Sequence, residues 1–232
     1  MKKMAEATEE KKPLARGVVV EFDFTAIDGG QLLFDTAKKI LAAKGVDLTV
    51  KLEALHLSGG NYQGGLAELF RTLDKKCDAA ATARDLHDAF GKALTERAVA
   101  AVTPGLKAFI SALVERGVKV VVATRSDLET LRPAFEGFDP EKVVLYAEPS
   151  MSYGNGKWDA WRRACSQNGL MDVLTVGVTG SGNGVKSALV AGMSAIAILH
   201  DHVAYQDFGG ADVVVDSFNA KLAEEAFRML HM

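Results

Sequence analysis

Two carboxylates, Glu21 and Asp23, stand one residue apart at the end of the apolar run GVVVEF (17–22), and Thr25 follows at the same spacing. Other polar groups sit at comparable places. Thr124-Arg125-Ser126 closes VKVVVAT (118–124), Lys157 heads a helical pattern, and Thr179-Gly180-Ser181-Gly182-Asn183-Gly184 follows VLTVGV (173–178). Carboxylates are residue types that serve as nucleophile and as general acid or base. The glycine-rich segment opens a helix, where free backbone amides favour an anion even without a metal. Plainer roles are open to each: a polar turn with Thr25 bonded to its own backbone, a helix cap at Thr124, a solvated Lys157, and a tight turn at the glycines.

Such residues converge only if the runs that carry them lie side by side. GVVVEF, VKVVVAT, VLTVGV and SAIAIL (194–199) are rich in Val and Ile and bounded by Gly or polar residues, so each reads as a buried strand. KVVLYA (142–147) and ADVVVDS (211–217) are weaker candidates. Helical spacing fills the gaps, as in LKAFISALVERG (106–117) and GVKSALVAG (184–192). The alternation predicts an α/β fold, a Rossmann-like three-layer core around a parallel sheet. In such sheets ligands bind at the carboxyl ends of the strands, where the polar groups above are expected.

The rhythm breaks between residues 31 and 101, which read as successive helices without a strand. The predicted organisation is a flexible tail (1–16), a core formed by 17–30 and 102–232, and an inserted helical cap (31–101). Within the cap HLSGGNYQGG (56–65) reads as a glycine-rich loop, able to close over a ligand or merely to turn the chain.

The order of these segments resembles the haloacid-dehalogenase-like hydrolase superfamily, whose signature is a strand ending in DxDxT, a later strand ending in Thr or Ser, a lysine opening a helix, and an acidic pair before the next helix. TPGLKAFISALVERGVKVVVATRSD (103–127), GNGVKSALVAGM (182–193) and ADVVVDSF (211–218) are similar to its β-phosphoglucomutase and phosphatase branch in particular. The resemblance spans nearly the whole chain. It implies phosphoryl chemistry with Glu21 and Asp23 as catalytic residues and Thr25, Thr124, Arg125, Lys157, Ser181 and Asn183 around the phosphate. It also implies Mg²⁺ as cofactor and a small phosphorylated molecule as partner.

Two positions depart from the signature. Glu21 occupies the place of the nucleophilic aspartate, and one methylene displaces a carboxylate by about a bond length, where a shift of ~1 Å can cost about a hundredfold in rate. Thr179-Gly180-Ser181 occupies the place of the metal-binding acids. Glu21 and Asp23 are left as metal ligands, a set that holds Mg²⁺ weakly unless Asp28, Asp201 or Asp207 joins it. The expected function is therefore a phospho-ligand binding or regulatory module with an impaired phosphoryl-transfer site. The alternative is a Mg²⁺-dependent phosphatase or phosphomutase acting through Glu21 and Asp23. The TGSGNG loop also weakly resembles the nucleotide fingerprint of short-chain dehydrogenases, but too few residues follow it for the βα units that fold requires.

Composition narrows the field. A net charge of −3 with 25% charged residues gives no basic field for nucleic acid or anionic membrane. No segment reaches the ~20 apolar residues of a membrane span, and residues 1–16 hold no apolar run of secretory type. Cys77 and Cys165 show no pairing or zinc-like spacing, which suits a cytoplasmic location. His200-Asp201-His202, read as a strand end, would point its two imidazoles the same way and its carboxylate the other, without forming a zinc set. Nothing in the sequence specifies an oligomeric state.

Overall fold

The computed structural model describes residues 15–58, 61–147, 157–203 and 205–231. Its centre is β1 (Ala15–Glu21), whose β-branched residues alternate between two apolar clusters. Val18 and Val20 enter one cluster and Val19 the other. β2 (Lys119–Thr124) repeats the pattern with Val120 and Val122 against Val121. Burial on both faces is why these runs are almost continuously apolar.

The remaining strands are β3 (Val143–Ala147), β4 (Leu170–Thr179), β5 (Ser194–Ile198) and β6 (Val213–Val215). All neighbours pair in parallel, in the order β3-β2-β1-β4-β5-β6. The strand order reverses between β1 and β4, which makes their carboxyl ends the place where such a sheet opens a crevice. Helices α6 (Pro104–Glu115) and α10 (Ala220–Met229) cover one face, and a single turn α7 (Leu128–Leu131) follows β2. Helices α8 (Lys157–Gln167) and α9 (Gly182–Val190) cover the other, which completes the predicted three-layer α/β core.

Between β1 and α6 the regular elements among the described residues are all helices: a single turn α1 (Phe22–Thr25), then α2 (Gly29–Ala42), α3 (Val50–His56), α4 (Tyr62–Thr72) and α5 (Ala79–Ala101). Asp28, Thr49, Asn61 and Asp78 each cap the helix that follows by accepting a backbone amide. Each cap contributes about 1 kcal/mol. Leu33, Leu66, Phe90 and Leu94 belong to the same apolar cluster as Val18 and Val20, so these helices share a core with the sheet.

Four expectations are corrected. β1 begins at Ala15, so Ala15 and Arg16 are strand rather than tail, while residues 1–14 lie outside the described residues. Phe22, expected as the last strand residue, instead opens the helical turn Phe22–Thr25, in which Thr25 Oγ1 donates to the Glu21 carbonyl at 2.8 Å. Tyr62–Gly65 belongs to α4 instead of a loop. Gly65 is required there because a Cβ would lie 1.6 Å from the His56 carbonyl oxygen. Asp201–Val203 is a 3-10 turn rather than a strand end.

Candidate functional site

The carboxyl ends of β1, β2 and β4 bring together residues separated by more than a hundred positions. α1 turns the chain back as soon as β1 ends, and this places Asp23 beside the end of β2. Thr124 Oγ1 donates to Asp23 Oδ1 at 2.5 Å, and the Arg125 amide donates to Asp23 Oδ2 at 2.8 Å. Arg125 Nε lies 3.4 Å from the same oxygen. Ser126 N donates to Thr124 Oγ1 at 2.9 Å, so the hydroxyl is fixed on both sides. On the other flank Thr179 donates its hydroxyl to Glu21 Oε2.

These groups are sealed from solvent. Glu21 and Asp23 are each 1% exposed, and Thr124 and Thr179 are 0% exposed. The Arg125 side chain, 7% exposed, packs its guanidinium 4.7 Å from the Phe90 ring centre and 5.8 Å from that of Phe24. It also hydrogen-bonds Tyr62, which is itself buried. Tyr62 comes from α4 and Phe90 from α5, so the inserted helices close directly over the strand ends.

Burial pushes the Asp23 carboxyl above its usual range, against the opposing influence of Arg125 and Thr124. For Arg125 burial works against the charge, but Tyr62, Asp23 and Glu21 outweigh it and the guanidinium remains a cation. Two buried carboxyls and one buried guanidinium thus form a compact charged group.

The loop after β4 is held by its own contacts. Ser181 N donates to Thr179 Oγ1 at 3.3 Å, and Ser181 Oγ caps α9 by accepting from Gly184 N at 3.0 Å. Gly182 N donates to Gln206 Oε1 at 2.8 Å, so that amide is already engaged. Asn183 instead lines a separate cavity of about 380 Å³ with Ser58, Lys186, Tyr205 and Asp207. Lys157 opens α8, and its side chain lies outside the described residues. Of the sequence-predicted residues, Glu21, Asp23, Thr25, Thr124, Arg125 and Ser181 surround the strand ends, and Asn183 lines the cavity beside Lys186.

A divalent metal does not fit this donor set. A Cβ at Gly180 would lie 1.5 Å from the Phe24 carbonyl oxygen, so the backbone leaves no room for an acidic side chain there. Asp28 is occupied in capping α2, Asp201 is exposed on its 3-10 turn, and Asp207 pairs with Lys186 at 2.9 Å. Among the described residues no group of three metal-ligating side chains occurs. Asp23 already has Thr124 and Arg125 as partners.

Sequence reasoning missed the groups that close the site. Tyr62 and Phe90 are apolar-face residues of helices, with no signal that they meet an arginine far along the chain. It also missed a buried cluster that ties α3 to the segment after β5. Tyr205 donates its hydroxyl to Glu53 Oε2, and His202 Nε2 lies 3.6 Å from the same oxygen. Burial raises the Glu53 carboxyl above its usual range despite Tyr205 and His202. A glutamate at a core-facing helical position was the available clue.

No family model matches the sequence, and comparison with curated proteins returns no match. Solved structures do match. β-Phosphoglucomutase from Clostridium difficile superposes with a TM-score of 0.69 at 14% identity, covering 93% of this chain and 98% of that one. CbbY from Rhodobacter sphaeroides, solved in complex with phosphate, gives 0.62 at 22% identity over 89% and 96%. A family IA, variant 3 hydrolase of the haloacid-dehalogenase type from Entamoeba histolytica gives 0.63 at 19% identity over 94% and 100%. The parallel sheet, its strand order and the helices between β1 and α6 therefore have one common description: this chain carries the haloacid-dehalogenase-like fold in the form found in β-phosphoglucomutase.

Proposed function

We propose that this chain is a haloacid-dehalogenase-like hydrolase-family protein that holds a small phosphorylated ligand as a binding or regulatory module, with its phosphoryl-transfer centre impaired. The carrying observation is that both acids at the strand ends already have internal partners, while Gly180 leaves no space for a third. Thr124 and the Arg125 amide supply the donors for an oxyanion, and Asp23 now occupies them. A ligand would have to displace that carboxylate. Residues 31–101 would act as the cap, with Tyr62 and Phe90 on its inner side, and Lys157 would join the phosphate-holding set.

A second reading, a phosphatase or phosphomutase acting through Glu21 and Asp23, draws support from the comparisons, since the similar structures include a β-phosphoglucomutase and a hydrolase. CbbY structures hold phosphate and xylulose 1,5-bisphosphate, which favours a sugar-phosphate-sized ligand under either reading. The deciding experiment is hydrolysis of an aryl phosphate and a panel of sugar phosphates by wild type and Asp23→Asn, with and without Mg²⁺. Ligand-dependent thermal shifts on the same samples report binding. Stabilisation by a phosphorylated compound without turnover supports the binding module. Turnover lost in Asp23→Asn supports the enzyme.

A further inference from the structure

Two carboxyls packed into one buried site ordinarily call for a cation, and in a phosphoryl-transfer site that cation is usually a divalent metal. Here the chain supplies one itself. The Arg125 guanidinium lies against Asp23, donates a hydrogen bond to Tyr62, and is roofed by Phe90 and Phe24, with 7% of its side chain exposed. Its planar fork is fixed by these neighbours, unlike a surface arginine that swings into solvent.

We propose that Arg125 is the resident cation of this site, taking the place of a divalent metal ion, so that any oxyanion bound at the strand ends is met by a guanidinium and not by Mg²⁺. Three features support this. Asp23 spends its oxygens on Thr124 and Arg125, Glu21 accepts from Thr179, and the backbone at Gly180 excludes the acid that would complete a metal set. A second positive charge brought within a few ångströms of a buried guanidinium is strongly repelled at low effective dielectric. Arg125 also couples charge to closure, because two of its neighbours, Tyr62 and Phe90, belong to the inserted helices.

The inference concerns the same site as the proposed function but rests on that reading only for the identity of the oxyanion. Metal binding is measured without any phosphorylated compound, so either can fail alone. The experiment is titration of the full chain with Mn²⁺, followed by electron paramagnetic resonance, for wild type, Glu21→Gln, Arg125→Gln and Arg125→Lys. Wild type and Glu21→Gln are expected to bind Mn²⁺ equally weakly. Folded Arg125→Gln is expected to bind it at least about tenfold more tightly, because the repulsion is gone. Arg125→Lys, which keeps the charge if the glutamine variant does not fold, is expected to stay like wild type. Stoichiometric Mn²⁺ binding by wild type that Glu21→Gln abolishes would overturn the proposal, as would tight binding by Arg125→Lys or no gain in a folded Arg125→Gln.

Discussion

Asp23 and Thr124 are separated by 101 positions in the chain, yet the threonine hydroxyl donates to the aspartate at 2.5 Å with both residues buried. The contact exists because α1 folds back at the end of β1 while β2 runs parallel beside it, with Glu21 in register with Ala123. The same aspartate takes the Arg125 amide and guanidinium, so a single side chain ties the first strand's turn to the end of the second.

Removing the hydroxyl should expose the cost of that arrangement. Thr124→Val keeps the shape but takes a hydrogen bond from a buried carboxyl, and is expected to destabilise the fold by about 1–3 kcal/mol. Chemical denaturation checks this, with Asp23→Asn as partner in a double-mutant cycle. A coupling of about 0.5 kcal/mol or more between the two is expected for residues in direct contact.

Adding an acid at the fourth motif should fail for steric reasons. The Cβ of any residue at 180 would overlap the Phe24 carbonyl oxygen and approach that of Ile198 to 3.2 Å. Gly180→Ala is expected to lower stability by about 1–3 kcal/mol. Gly180→Asp should be no better, and Mg²⁺-dependent hydrolysis of an aryl phosphate should not rise in it. Thermal denaturation and the hydrolysis assay together test this.

Glu53 should give the protein a particular pH dependence. Burial raises its carboxyl in the folded state, so the folded protein holds this proton more tightly than the unfolded chain does. The stability it contributes is complete below the ordinary carboxylate range and declines as pH rises through the folded value. Relative to Glu53→Gln, wild type is expected to lose unfolding free energy as pH rises above the ordinary carboxylate range, about pH 4, where the glutamine variant has no such proton to lose. Urea unfolding of both proteins as pH is raised measures the difference.

The two cysteines should separate by reactivity. Cys165 is 2% exposed and burial pushes its thiol up to about 11, whereas Cys77 is partly exposed. A maleimide should label Cys77 in the native protein and reach Cys165 only on unfolding, since the thiolate is the reactive form. Intact mass measured before and after denaturation counts the labels.

The sequence by itself determined the layer architecture, because that information is periodic and local. Runs of valine in 17–22 and 118–124, helical spacing between them and glycine stops specify buried strands and helices wherever they occur. The succession of acids and hydroxyls after those strands also put Glu21, Asp23, Thr124 and Thr179 at one end of a parallel sheet. No single helix among the described residues is long and apolar enough to cross a membrane.

Only the tertiary structure decided which of these groups touch and what fills the space between them. That Thr179 serves Glu21, that Asp23 is held by Thr124 and Arg125, and that Tyr62 and Phe90 roof the guanidinium all depend on how the inserted helices dock on the sheet. Gly180 makes the same point: in the sequence it is a missing acid, whereas in the fold it is a backbone contact that no side chain fits. A local pattern encodes which face a residue presents. Contact partners a hundred residues away are set by strand order and helix packing, which no local period records.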